Sequence, residues 1–234
     1  MAASPFLALA WDSVSDALDE QGYALTGQFL RPAECARLRK LYATEAPFRR
    51  HILMARHGYG RGEYKYFGYP LPEIVEKLRT ALYPQLAQLA NRWQENLGSA
   101  TRYPASHDDF LRRCHRAGQT KPTPLLLRYE TGDFNCLHQD LYGEHVFPLQ
   151  VAILLSSPER DFTGGEFVLT EQRPRMQSRV SVVPLRQGEG VIFPVSARPV
   201  RGSRGFHRVT MRHGVSPLRS GTRFTLGIIF HDAR

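Results

Sequence analysis

Apolar positions change their period about halfway along the 234-residue chain. In the first half they recur at steps of three and four, the spacing of one helix face. Ile74, Leu78, Leu82, Leu86, Leu89 and Trp93 form such a stripe, which predicts a long helix or helix pair over Leu71–Leu97 with the stripe as core. Residues 12–21 and 32–45 read as shorter helices. The second opens on Pro32, suited to a first helical turn, and carries Ala36, Leu38, Leu41 and Tyr42 in near-helical spacing. Tyr23–Leu30 between them has strand character.

From Pro122 the texture becomes one of short runs rich in Val, Ile, Leu, Phe and Tyr, cut by Gly, Pro and Asp. Eight strands are expected: Leu125–Tyr129, Asn135–His138, Leu149–Leu155, Glu166–Thr170, Arg179–Pro184, Gly190–Pro194, Phe206–Arg212 and Arg223–Phe230. That number suits a double-stranded β-helix, or jelly roll. The expected class is therefore α+β, a jelly-roll core with N-terminal helices packed against it. Without a repeat, linker or low-complexity tract, residues 1–234 read as one domain, mainly helical over 1–121 and jelly roll over 122–234.

Composition is that of an ordinary globular chain, with 42% hydrophobic and 23% charged residues. The apolar run Pro5–Trp11 has no preceding Lys or Arg and is followed by Asp12, Asp16, Asp19 and Glu20, unlike a signal peptide. Every other apolar stretch is interrupted too early for a membrane helix. Three dispersed cysteines, Cys35, Cys114 and Cys136, make neither a disulfide framework nor a CxxC zinc site, and a reducing cytoplasm is expected.

One chemical pattern stands out. His138 and Asp140 are two residues apart, so on a strand their side chains share a face and can chelate one ion. A distant histidine would complete a two-histidine, one-carboxylate facial triad, which leaves Fe(II) positions open for a co-substrate and dioxygen. His213 and His207 compete for that place. His213 is preferred because it lies nearer Arg223, whose guanidinium is the partner that the distal carboxylate of 2-oxoglutarate needs. Thr225, two residues beyond Arg223, faces the same side and can add a hydrogen bond, and Tyr129 can add another. His145 and His231 are further histidines; His231, beside Asp232, reads as a solvated or capping residue.

These residues resemble the 2-oxoglutarate and Fe(II)-dependent dioxygenase superfamily, in its prolyl-4-hydroxylase-like branch. Tyr129 and Gly132 lead to His138-Gln-Asp140, Gly164-Gly165-Glu166 follows, then Pro184, Gly188 and Phe193, and finally His213, Pro217, Gly221 and Arg223. The resemblance implies iron on His138, Asp140 and His213, and 2-oxoglutarate on Arg223 and Tyr129. It also implies dioxygen as oxidant, with ascorbate as a reductant. The chain departs from the pattern between Phe193 and His213, a long stretch carrying Arg198, Arg201, Arg204, Arg208 and Arg212. Segments His57–Phe67 and His138–His145 further resemble a bacterial family described as oxygenases for oxidative demethylation of damaged DNA.

Charge bears on the substrate. The net charge is +9, and Arg160–Arg219 holds eleven arginines against four acidic residues. Lining a groove, these arginines would bind phosphate, with Tyr142, Phe134 or Phe206 stacking on an extruded base. The expected substrate is then damaged nucleic acid. A peptide or small molecule to be hydroxylated is the alternative, and a non-catalytic metal-binding jelly roll a third.

Overall fold

A computed structural model describes residues 9–234. The Pro5–Trp11 run falls largely outside them. Helix α1 (Trp11–Gln21) stops at Gly22, in the left-handed conformation at φ 82°. Strand β1 (Ala24–Gln28) follows, then α2 (Pro32–Leu41), β2 (Phe48–Leu53), a 3₁₀ turn (Met54–His57), β3 (Gly60–Arg61) and β4 (Glu63–Phe67). Next come α3 (Glu73–Asn96) and α4 (His107–Arg116), the latter capped by the Ser106 hydroxyl accepting from the Asp109 amide. The remaining strands are β5 (Leu125–Glu130), β6 (Phe134–His138), β7 (Leu149–Leu154), β8 (Phe162–Gly164), β9 (Phe167–Gln172), β10 (Arg179–Val183), β11 (Glu189–Pro194), β12 (Ala197–Gly202), β13 (Gly205–Val215) and β14 (Leu218–Ile229).

The strands form two facing antiparallel sheets. The larger runs β1-β11-β7-β14-β5-β4-β2 with β8 beside β14, and the smaller runs β10-β9-β13-β6-β3 with β12 beside β13. Alternation along the central strands explains the layering. On β7, Leu149, Val151 and Ile153 turn to the helices, where they join the α3 residues Leu78, Leu82, Leu86 and Trp93. Ala152 and Leu154 turn to the inner face and meet Phe167, Leu169, Val191 and Phe193 between the sheets. Strand β7 is buried at every position because both faces are covered. The same alternation on β14 sends Leu226 and Ile228 to the helices and leaves Arg223 and Thr225 on the inner face.

Four features depart from the sequence reading. The 32–45 helix ends at Leu41. The N-terminal half supplies strands as well as helices: β2 and β4 extend the larger sheet beyond β5, and β3 extends the smaller one. Their sequences, Phe-Arg-Arg-His-Ile-Leu and Glu-Tyr-Lys-Tyr-Phe, are too polar to register as strands. The Arg-rich stretch before His213 is a hairpin, β12 paired with β13, whose edge strand tolerates Pro199. His231 and Asp232 are fully buried, not solvated. Asp232 is ion-paired to buried Arg79 at 2.7 Å, and His231 Nδ1 accepts from the Phe147 amide.

Candidate metal and co-substrate site

His213 lies inside β13 rather than beyond its end, because that strand continues to Val215. There it is directly opposite His138 on β6, with Leu169 of β9 on its other side. The two imidazole centroids are 4.1 Å apart, and Phe193 and Phe167 flank the His213 ring at 4.8 and 6.1 Å. Asp140 stands two residues past the end of β6 and reaches between the histidines. Its Oδ1 is 3.5 Å from His138 Nε2, and its Oδ2 is 3.3 Å from His213 Nε2. All three donor atoms lie within 4.8 Å of one another, and these residues are the group of three among the described residues able to hold an ion.

Hydrogen bonds hold His138 and Asp140 in place, while His213 is flanked by rings and its Nδ1 has no hydrogen-bond partner among the described residues. His138 Nδ1 is 2.8 Å from the Cys136 carbonyl; donating there leaves Nε2 free for an ion. The Tyr142 hydroxyl donates to Asp140 Oδ1 at 2.7 Å and receives one from Tyr66 at 3.2 Å. Gln139, between the two ligand positions, turns away and donates to the Ser196 and Met211 carbonyls, tying the end of β6 to the neighbouring segments. Burial opposes ionisation of Asp140, but its hydrogen bonds with both histidines hold the carboxyl well below its ordinary value. Burial and neighbouring His138 lower His213. For His138 burial acts downward as well, but Asp140 outweighs it and raises that imidazole. An ionised carboxylate facing a neutral His213 is what a divalent cation requires.

Arg223 opens into the same cavity, whose volume is about 790 Å³. Only 2% of it is exposed, and its single hydrogen bond is from Nη1 to Thr225 Oγ1 at 2.6 Å. Nε has no partner, and no carboxylate pairs with the guanidinium among the described residues. Burial brings its pKa down to about 10, so it stays charged at neutral pH. A buried, unpaired cation is costly unless an anion completes it. Gly165, at φ 61°, lets β14 come this close, since a Cβ there would stand 2.4 Å from Leu218 and 3.1 Å from Arg223. Tyr129, opposite Arg223 in register, lies with its ring 5.7 Å from the guanidinium. Burial raises its pKa, so the hydroxyl keeps the proton it would donate. The residues fit both groups: a facial triad for Fe(II), and an Arg-Thr-Tyr cluster for the far carboxylate of 2-oxoglutarate.

The fold does not bring His207 there. It pairs with Val200 near the hairpin tip, six residues along β13 from His213, or roughly 20 Å at strand rise. None of the eleven arginines from Arg160 to Arg219 lines the cavity, nor does Phe134 or Phe206, whereas Tyr142 does. Arg198 is fully buried against Glu171, and Arg208 and Arg212 lie one strand position out of phase with His213, on the opposite face of the sheet. Several lining residues carried no readable sequence signal: Asn135, which donates to the Tyr129 hydroxyl; Gln150, 3.5 Å from His213 Nε2; and Arg49, Arg50, Tyr64 and Tyr66 from β2 and β4. Only the tertiary pairing of β4 with β5 brings the last four to the site.

The sequence model of a family described as "oxygenase, catalysing oxidative methylation of damaged DNA" matches residues 62–233. An uncharacterized protein of Mycobacterium tuberculosis (Rv2227) is 55% identical over 167 residues, 71% of this chain and 72% of that protein. Among solved structures, a 2OG-Fe(II) oxygenase family oxidoreductase from Burkholderia pseudomallei superposes with a TM-score of 0.56 at 16% identity, covering 96% of this chain and 93% of the other. A Pseudomonas putida prolyl-4-hydroxylase gives a TM-score of 0.53 at 17% identity, covering 96% and 99%. These two likenesses concern the fold, which is that of the 2-oxoglutarate oxygenase jelly roll.

Proposed function

We propose a function from one premise: this chain belongs to the oxygenase family described as acting on methylation in damaged DNA. The reading is Fe(II)- and 2-oxoglutarate-dependent oxidative removal of a methyl group from damaged nucleic acid. The observation that carries the oxygenase part is Arg223, a buried cation with no counter-anion among the described residues, which opens into the cavity of His138, Asp140 and His213. A protein that merely stored or sensed a metal would have no use for it.

In this reading His138, Asp140 and His213 hold Fe(II), while Arg223 and Thr225 bind the distal carboxylate of 2-oxoglutarate with Tyr129 beside them. When bound, iron, 2-oxoglutarate and dioxygen together supply an oxidant that inserts one oxygen atom into a C–H bond and release succinate and carbon dioxide. Phe167 and Phe193 exclude water beside His213. Tyr142 keeps the Asp140 carboxylate turned toward its two histidines. Hydroxylation of an N-methyl group yields an N-hydroxymethyl that departs as formaldehyde, restoring the base. Support for nucleic acid comes from the family description and from the basic mouth of the cavity; ascorbate as a reductant belongs to the same reading.

Two measurements test it. Anaerobic Fe(II) with 2-oxoglutarate should give the weak visible band of a chelated keto acid, lost in His213→Ala and kept in His207→Ala; the reverse pattern would overturn the ligand set. Succinate should form together with formaldehyde on methylated oligonucleotides. Succinate formation stimulated by a peptide or small molecule, and by no oligonucleotide, would refute the substrate.

A further inference from the structure

The arginines that the sequence offers for phosphate binding do not line the cavity, yet its mouth is basic for another reason. Arg49 and Arg50 come from β2, and Lys121 and Arg234 from two segments joined by mutual backbone hydrogen bonds between Lys121 and Ala233. Apart from Asp140, which faces both histidines, no carboxylate side chain among the described residues lines the cavity. Arg50 and Lys121 are exposed and have no ion-pair partner among the described residues. Arg234 approaches Glu144 only to 3.9 Å, with both side chains two-thirds exposed. Arg49 is fixed by Nε donating to the Pro122 carbonyl at 2.9 Å and by its guanidinium lying 4.6 Å from the Tyr66 ring centroid, and neither contact neutralises it.

An aromatic ring that lines the same cavity faces solvent. Tyr59 is 49% exposed, and its ring stacks on His57 at 5.3 Å and 24°. Its backbone is anchored, the carbonyl accepting from the Cys136 amide on β6, two residues before His138. We propose that Arg49, Arg50, Lys121 and Arg234 form a phosphate-binding rim for single-stranded nucleic acid, with Tyr59 as the stacking platform for a base next to the one entering the cavity. This rests on the nucleic-acid reading above and assigns it a binding surface. Unpaired Arg50 and Lys121, with Arg49 and the loosely paired Arg234, match a phosphate backbone, and a flat exposed ring suits bases of any identity. The triad lies inside the cavity, so the reacting base has to be out of a duplex stack, and a single strand presents it without unpairing.

The test is fluorescence anisotropy of a labelled single-stranded oligonucleotide on the full chain loaded with Fe(II) and 2-oxoglutarate under argon, across a salt series. Arg50→Ala and Lys121→Ala should each reduce the salt slope by about 0.7, the share of one phosphate contact on a single strand. Tyr59→Ala should weaken binding roughly 5- to 100-fold with the slope unchanged. Arg208→Ala with Arg212→Ala, on the far face of the sheet, should change neither. If that pair lowers the slope and the rim variants do not, the rim is overturned while the nucleic-acid reading stands. If no oligonucleotide binds and none releases formaldehyde, both fail. If an acidic peptide competes fully and Tyr59→Ala has no effect, the partner is a peptide and the proposal is refuted.

Discussion

At the residue scale Arg223 is decisive, because aromatic rings surround it and no carboxylate among the described residues meets its charge. Tyr129 and Phe162 put ring faces 5.7 and 5.9 Å from the guanidinium, which eases but does not replace an anion. Arg223→Ala should therefore raise the 2-oxoglutarate concentration needed for half-maximal succinate formation by 30-fold or more, as expected for roughly 2–5 kcal/mol lost with one partner of a buried charge pair. Iron affinity, measured by anaerobic titration, should change little. Loss of iron binding instead would mean that Arg223 supports the fold of the site. Thr225 was readable with Arg223 because strand periodicity puts residues two apart on one face, whereas Tyr129 was readable only from its place on the strand before His138. The Tyr142 hydrogen bond to Asp140 was not, since it needs a chain reversal after β6 that no periodicity encodes.

At the element scale the triad depends on how closely β6 approaches β13. Gly214, beside His213, makes that approach feasible: a Cβ there would stand 2.7 Å from the Asn135 carbonyl oxygen and 3.3 Å from Cys136 backbone atoms. Backbone, unlike a flexible side chain, must move as a strand. Gly214→Ala should spread His138 from His213 and reduce iron affinity about 10- to 100-fold, the range for lost support around metal ligands. Gly68→Ala, where a Cβ finds its nearest atom at 3.6 Å, should leave it unchanged, and equal effects of the two would remove the strand-spacing argument. Sequence patterning located, among others, the elements with a strongly apolar face: α3, β5, β7, β11 and β14. It overlooked β2, β4, β12 and α4, whose exposed faces are charged and whose few buried residues are recognisable only once their partners are known. Arg198 is the sharpest instance. Counted in sequence as one more surface arginine, it is fully buried, bound to Glu171 at 2.6 Å and to the Asp19 carbonyl at the same distance, joining α1 to β12.

At the scale of the whole molecule, the helical layer and the jelly roll are locked together where β14 ends. Arg79 of α3 donates to the Ile229 carbonyl and pairs with Asp232, His107 of α4 bonds the Phe230 carbonyl through Nε2, and His231 accepts from Phe147. Burial, with the positive Arg79 nearby, drives His107 down to about 3 and His231 down to about 4, so both are neutral in the folded protein. In the unfolded chain a histidine titrates near 6.5. Between these values the unfolded state binds more protons, so stability rises with pH. The contribution is complete above about pH 6.5 and is lost as pH falls toward 4. The His231 shift alone corresponds to something on the order of 3 kcal/mol, or roughly 6–12 °C in melting temperature for a chain of this size. Asp232, held below its ordinary value because Arg79 and His115 outweigh the burial that opposes its ionisation, loses its contribution in the same direction at lower pH. Melting followed by circular dichroism should therefore show a fall from pH 7.5 to pH 5. The fall should be smaller in His231→Gln, whose amide oxygen can still accept from Phe147 but takes up no proton. An equal fall in that variant would place the acid sensitivity elsewhere.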